Sequence, residues 1–460
     1  MSSFGSAFTA ADAFLRARAR MGASTAFEKF PREVVVEIVK HCDIPSIINL
    51  ALTGPTFYNY VKGDEHYIAI QLIIAHVDVY FMPLAVAQYL AKGIHHQRAS
   101  RGLEELLNPE PIMSFVDMIR PDMERYKRPF VEKYRPNHVT LTLKAAEEIL
   151  SFHSCAAYHA HLLEVGAMND LGGYSDQDEF RCANGEEMQR FMKALYIFQV
   201  SCHLFPAGVR TPDHRKGKPG PLESACAKFF RMFAPWEQQQ VRCVQEMLQN
   251  RIYNVAYRFA LANTEWLKKP SHDAFELFVV QKGLEAVKTY ESKGPLDLYG
   301  AVMNFKRDLR ESEKYRRHSW HSNNDLLWLK ASPDGKRISL EVDHIFAEFQ
   351  ENESGPRDVW LLTLLEPVSD DPLLFPIPII DPVEYSFKWS DSITLDGLYF
   401  WGRKKIDRYD LGTLPETENM KKVSSGLELS PEVFLYHHPG RDNGNWFIGT
   451  ARDYSVDGHD

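Results

Sequence analysis

Apolar positions recur at helical spacing through the first three hundred residues, whereas the last hundred carry frequent prolines and aromatics in shorter segments. The pattern predicts a mainly α chain with a mixed α/β, loop-rich C-terminal part. Lys144 to Met168 reads as one long helix of good helix formers, and Glu186 to Phe205 as another. A further helix starts at Pro235, because a first turn tolerates a missing amide and Glu237 complements the positive helix end. Val241, Val244 and Leu248 mark its buried face. The run from Arg210 to Glu223 holds three prolines, two glycines and several basic side chains, the composition of a solvated loop. Leu326 to Val342 places two apolar runs around a Ser-Pro-Asp-Gly turn and predicts a hairpin. No repeat of a solenoid or propeller period is visible.

The most apolar stretch, Ile68 to Leu90, matches a bilayer in length. His76 and Asp78 sit near its middle and Pro83 interrupts it, and a charge at bilayer centre costs at least about 2.5 kcal/mol. Two buried helices meeting near Pro83 are the expectation, with no membrane partner.

Start and stop signals are densest between Phe30 and Val61. Pro31 fits a first turn, and Glu33 complements the dipole there. Phe27, Phe30, Val34 and Ile38 recur at spacings of three and four, and Val35 and Val39 widen that apolar face. Such width argues for contact on two sides. Asp43 precedes a second helix with Pro45 near its first turn; Ile44, Ile47, Ile48, Ala51 and Leu52 supply its apolar side, while Leu50 points elsewhere. Gly54 and Pro55 break it, and a third short helix, Thr56 to Val61, presents Phe57 and Val61. A segment this small leaves too much apolar surface exposed to stand alone, so it must pack on something.

These residues resemble an F-box. The family's opening Leu-Pro appears as Phe30-Pro31, its Glu as Glu33, its spaced aliphatics as Val34, Val35, Ile38 and Val39 and then Ile44, Ile47, Ile48 and Leu50, and its closing Thr…Phe-Tyr as Thr53, Phe57 and Tyr58. Ser46 stands at a small polar position of the pattern. The chain departs from it at Phe30, a larger side chain than the family's Leu. Further on, APWEQQQVRCVQEML and LDGLYFWGRKKIDRYDL resemble segments of F-box proteins of filamentous fungi. The resemblance implies a substrate-receptor subunit of a Skp–cullin–F-box ubiquitin ligase, not an enzyme. Phe30, Pro31, Val34, Ile38, Ile44, Ile47 and Leu50 would dock on a Skp-type adaptor, through it a cullin, and the region after about residue 66 would hold an unknown target protein. The alternative is a non-catalytic helical scaffold in which the same faces are core.

Composition narrows the remaining classes. Among 460 residues, 53 Lys and Arg face 62 Asp and Glu, a net charge of −9 that argues against a dedicated nucleic-acid or anionic-membrane binder. Single cores stop growing at roughly 250 to 300 residues, so two or more packed units are expected. The divisions expected are an N-terminal arm at 1–26, F-box-like helices at 27–65, a helical body at 66–320 and a mixed region at 321–460. Six scattered cysteines without a CxxC pair suit a reducing compartment, cytoplasmic or nuclear.

His153, Cys155, His159 and His161 invite a metal reading, but only Cys155 and His159 share a helix face among them. Phosphate-loop, dinucleotide and nucleophile-elbow motifs are missing from the sequence, so no catalytic, cofactor or metal residue is assigned. The pair His95-His96 is expected in a solvated loop or helix end. Lys306, Arg307, Arg310, Lys314, Arg316 and Arg317 alternate with acids as a self-paired face.

Overall fold

The computed structural model describes residues 31–126, 139–170, 183–205, 221–261 and 278–294, with residues 276, 297, 300–301, 355–356, 400–401, 434–437 and 446–449 in addition. It is mainly α. The helices are α1 (Arg32–Lys40), α2 (Ile44–Thr53), α3 (Pro55–Gly63), α4 (Glu65–His76), α5 (Met82–Arg101), α6 (Leu103–Leu107), α7 (Glu110–Tyr126), α8 (Leu143–Asp170), α9 (Gly185–Leu204), α10 (Pro221–Phe230), α11 (Pro235–Leu261) and α12 (Leu284–Glu291). One antiparallel strand pair, β1 (Phe434–His437) with β2 (Trp446–Gly449), sets Phe434 opposite Gly449 and His437 opposite Trp446. The hairpin expected at 326–342, the basic run at 306–317 and most of the loop at 210–223 lie outside the described residues.

Two compact units divide the chain. The described part of the first comprises 31–90 and 139–155, that of the second 91–126 and the residues from 156 onward. In the first unit, α1 and α3 pack on α4, and α2 packs on α3. The reason the unit extends past residue 65 is chemical. Ile68, Ala69, Leu72 and Ile73 of α4 are buried there, and side chains of α4's first turn satisfy backbone amides at the start of α8. Glu65 Oε1 accepts from Leu143 N at 2.9 Å, and His66 Nδ1 accepts from Leu141 N at 2.9 Å. Helix-start amides have no partner within their own helix, and a carboxylate there also meets the positive end of the dipole.

Helix α4 ends at His76, five residues turn, and α5 opens with Pro83 in its first turn. In that turn Asp78 Oδ1 accepts from Tyr80 N at 2.9 Å, and both His76 and Asp78 are exposed. No helix among the described residues is long and apolar enough to cross a membrane.

The second unit is built around α9, whose residues 191–201 are all buried. Asn184 and Glu187 form a reciprocal capping box, each side chain accepting from the other's backbone amide at 2.9 Å. At the other end the buried Arg98 guanidinium donates to the carbonyls of Leu204 (2.9 Å), Glu105 (3.2 Å) and Leu106, tying the last turn of α9 to α6. Helix α11 lies along α9, with Val241, Val244 and Leu248 fully buried and Lys193 paired to Glu237. Phe229 of α10 makes edge contacts with Phe205, Phe230 and Phe233. Pro221 begins α10, so the last residues of the expected loop are helical, with proline in the first turn where its missing amide costs nothing. The stacked Phe400 lies 3.9 Å from Phe191, and its carbonyl accepts from Arg190 at 3.0 Å.

Candidate partner-docking face

Helix α1 follows Pro31, whose carbonyl accepts from Val34 N at 3.0 Å. Five of its apolar positions, counting Pro31, split into two stripes. Val35 and Val39, four apart, are buried in the first unit, whereas Pro31 and Val34, three apart, face solvent, and Ile38, four further on, is half-buried. Val34 keeps 40% of its surface exposed. The width read from the sequence therefore resolves into a core stripe and a solvent-facing one, and it is Val35 and Val39 that form the core side. A helix with one apolar stripe satisfies a fold; the second is surplus to it.

Asp43 caps α2 through a 2.9 Å bond from Ser46 N. The Ser46 hydroxyl and amide together hold the Asp43 carboxyl below its ordinary range. With the start fixed, Ile44, Ile47 and Ala51 fall on the buried side, and Ile47 has no exposure. Ile48, Leu50 and Leu52 are half-buried. Gly54 ends α2 in an extended conformation and Pro55 opens α3, one residue before the expected start. Phe57, Tyr58 and Val61 are core, and Lys62 lies over the Tyr58 ring.

The residues picked out by the sequence thus occupy different environments. Pro31 and Val34 are on the surface, Ile38 and Leu50 are half-buried, Ile44 and Ile47 are in the core, and Phe30 lies outside the described residues. Ile44 and Ile47 are buried because capping by Asp43 and the break at Gly54 leave α2 one face for α3, and the spacing of three, then four to Ala51, fills it.

No protein-family model, curated protein or solved structure matches this chain. Its functional reading therefore stands on the residues themselves. Around the exposed stripe of α1 the chemistry is that of contact: aliphatic side chains, the first-turn acid Glu33 and the capping acid Asp43.

The histidines lie elsewhere. His159 is buried with Nε2 3.0 Å from the Leu284 carbonyl, and His161 is exposed, with Nδ1 3.2 Å from Glu164 Oε2. Among the described residues no three His, Cys, Asp or Glu side chains converge as metal ligands. His95, expected in solvent, is instead half-buried against His203, with ring centroids 6.0 Å apart. Burial holds its pKa below the ordinary imidazole value. Nothing local in the sequence marks that contact, because the partners are separated by 108 residues.

Proposed function

We propose that the chain is the substrate-receptor subunit of a Skp–cullin–F-box ubiquitin ligase, similar to those of filamentous fungi. The observation that carries the reading is the second apolar stripe of α1, Pro31, Val34 and Ile38, left on the surface of a unit whose core is already filled by Val35 and Val39. It coincides with the residues on which the F-box resemblance rests. In this reading the stripe, together with Phe30 and the half-buried Leu50, docks on a Skp-type adaptor and through it a cullin. The remainder of the chain, including a mixed α/β, loop-rich C-terminal region, holds a target protein in the cytoplasm or nucleus. The chain performs no chemistry of its own. It raises the effective concentration of target lysines beside the charged ubiquitin donor, which turns a bimolecular encounter into an intramolecular one.

The burial of Ile44 and Ile47 supports the alternative for α2 alone: there the F-box-like aliphatics serve a helical scaffold. The docking surface is accordingly centred on α1.

Co-expression of the full chain with a Skp-type adaptor and a cullin tests the reading. The wild type is expected to retain both on purification, and the Val34→Glu/Ile38→Glu variant to lose both while keeping its helical circular-dichroism spectrum, since two unpaired carboxylates would be buried at the contact. Failure of the wild type to retain the adaptor, where a known F-box chain does, overturns it.

A further inference from the structure

Within the second unit, four residues separated in the sequence meet at the start of α12. Leu284 N donates to Gln199 Oε1 at 2.8 Å. With that oxygen committed, the Gln199 amide nitrogen is the atom 3.0 Å from His203 Nε2. An amide NH2 only donates, so His203 Nε2 must carry its lone pair. On the other side of the same residue, the Leu284 carbonyl lies 3.0 Å from His159 Nε2. A carbonyl only accepts, so His159 bears its proton on Nε2, and its Nδ1 is buried without a hydrogen-bond partner.

The backbone approaches this cluster as closely as chemistry permits. Gly283 precedes α12 at φ +93°, and a Cβ on it would collide with the Gln199 amide. The far end of α12 is held separately, by Arg251 Nε 2.7 Å from Glu291 Oε1 and by Lys288 over the Tyr158 ring at 4.8 Å.

We propose that Gln199, His203 and His159 form a proton-operated latch, closed on the first turn of α12 while both imidazoles are neutral and released when they take up protons. A proton on His203 Nε2 sets an N–H against the Gln199 NH2, which cannot turn round without abandoning Leu284 N. A proton on His159 Nδ1 creates a buried donor with no acceptor. The groups facing them add to the cost. His203 meets His95, Lys92 and His96 of α5, and His159 meets Arg251 of α11 and Lys288 of α12, all basic. Release uncovers Leu284 and Val287, both fully buried in the closed state. The latch is independent of the docking face on α1 and stands or falls without it.

Burial, seconded by these basic neighbours, holds His159 at about 4 and His203 at about 3. Both values are depressed, so the unfolded or released form binds more protons on the acid side. The closed state is therefore fully favoured above the ordinary imidazole range and weakens as pH falls through it toward 4. His159 alone weakens it about a hundredfold by pH 4.

Hydrogen–deuterium exchange of the full chain between about pH 7.5 and 4.5, with rates corrected for intrinsic chemistry, tests this. Peptides covering 284–291 are expected to lose protection below about pH 6 while those covering 191–201 keep theirs. A His159→Gln/His203→Gln variant, whose amides can make the same bonds without titrating, is expected to stay protected at 284–291 across the range. Protection of α12 that is independent of pH, that is lost only together with α9, or that is lost equally in the variant, overturns the latch. Should the variant fail to fold, the order of release of α12 and α9 in the wild type decides by itself.

Discussion

Ile47 and Val34 are β-branched aliphatics on neighbouring short helices, and their surroundings are opposite: Ile47 has no exposure and Val34 keeps 40%. Burial predicts the cost of truncating each. Ile47→Ala removes methylenes from a filled core and is expected to destabilise the protein by about 2–5 kcal/mol, whereas Val34→Ala is expected to stay within about 0.5 kcal/mol. Chemical denaturation followed by circular dichroism separates them. Equal losses for both would mean that Val34 is core and that α1 has no surplus face. The sequence could not make this distinction, because Val34, Val35, Ile38 and Val39 are chemically alike, and packing within the unit, α4 included, decides which pair is covered. The same limit hid the histidine contacts at the start of α12. Gln199 and His203 stand four apart on a legible helix, but His159 and Leu284, which bond to each other there, are 125 residues apart in the chain.

Element boundaries were far more legible, since the groups that start and stop a helix are neighbours in sequence. Pro235 begins α11 as its first-turn chemistry requires, and Asp43 with Pro45, then Gly54 with Pro55, delimit α2. The apolar run from Ile68 divides into α4 and α5 at a five-residue turn before Pro83. Asn184 with Glu187 is a capping signature that the helical periodicity alone passed over, though its Asn-x-x-Glu spacing is readable. It starts the helix around which the second unit is built, and Glu164 Oε1 adds a bond from Ala183 N at 2.6 Å. Asn184→Ala is expected to cost about 1 kcal/mol and to raise exchange in the first turn of α9 before its middle. A cost near zero, with first-turn exchange unchanged, would show that Glu164 and the surrounding core fix this end without the box.

At the scale of the whole molecule, the helical class and the expectation of more than one packed unit could be read from periodicity and length. The course of the division could not. The first unit takes in 139–155 because amides at Leu141 and Leu143 find their acceptors on His66 and Glu65, a pairing that no local pattern announces. What emerges is a chain that uses α2 to α4 to hold α1 with one apolar stripe inside and one outside. In the proposed function, the outer stripe serves a partner.

Isothermal titration calorimetry of the purified full chain with a Skp-type adaptor, beside the Val34→Glu/Ile38→Glu variant, measures that claim directly. Saturable binding by the wild type with a negative heat-capacity change from apolar burial is expected, and none by a variant that remains folded. No binding by a folded wild type, or undiminished binding by the variant, would contradict it.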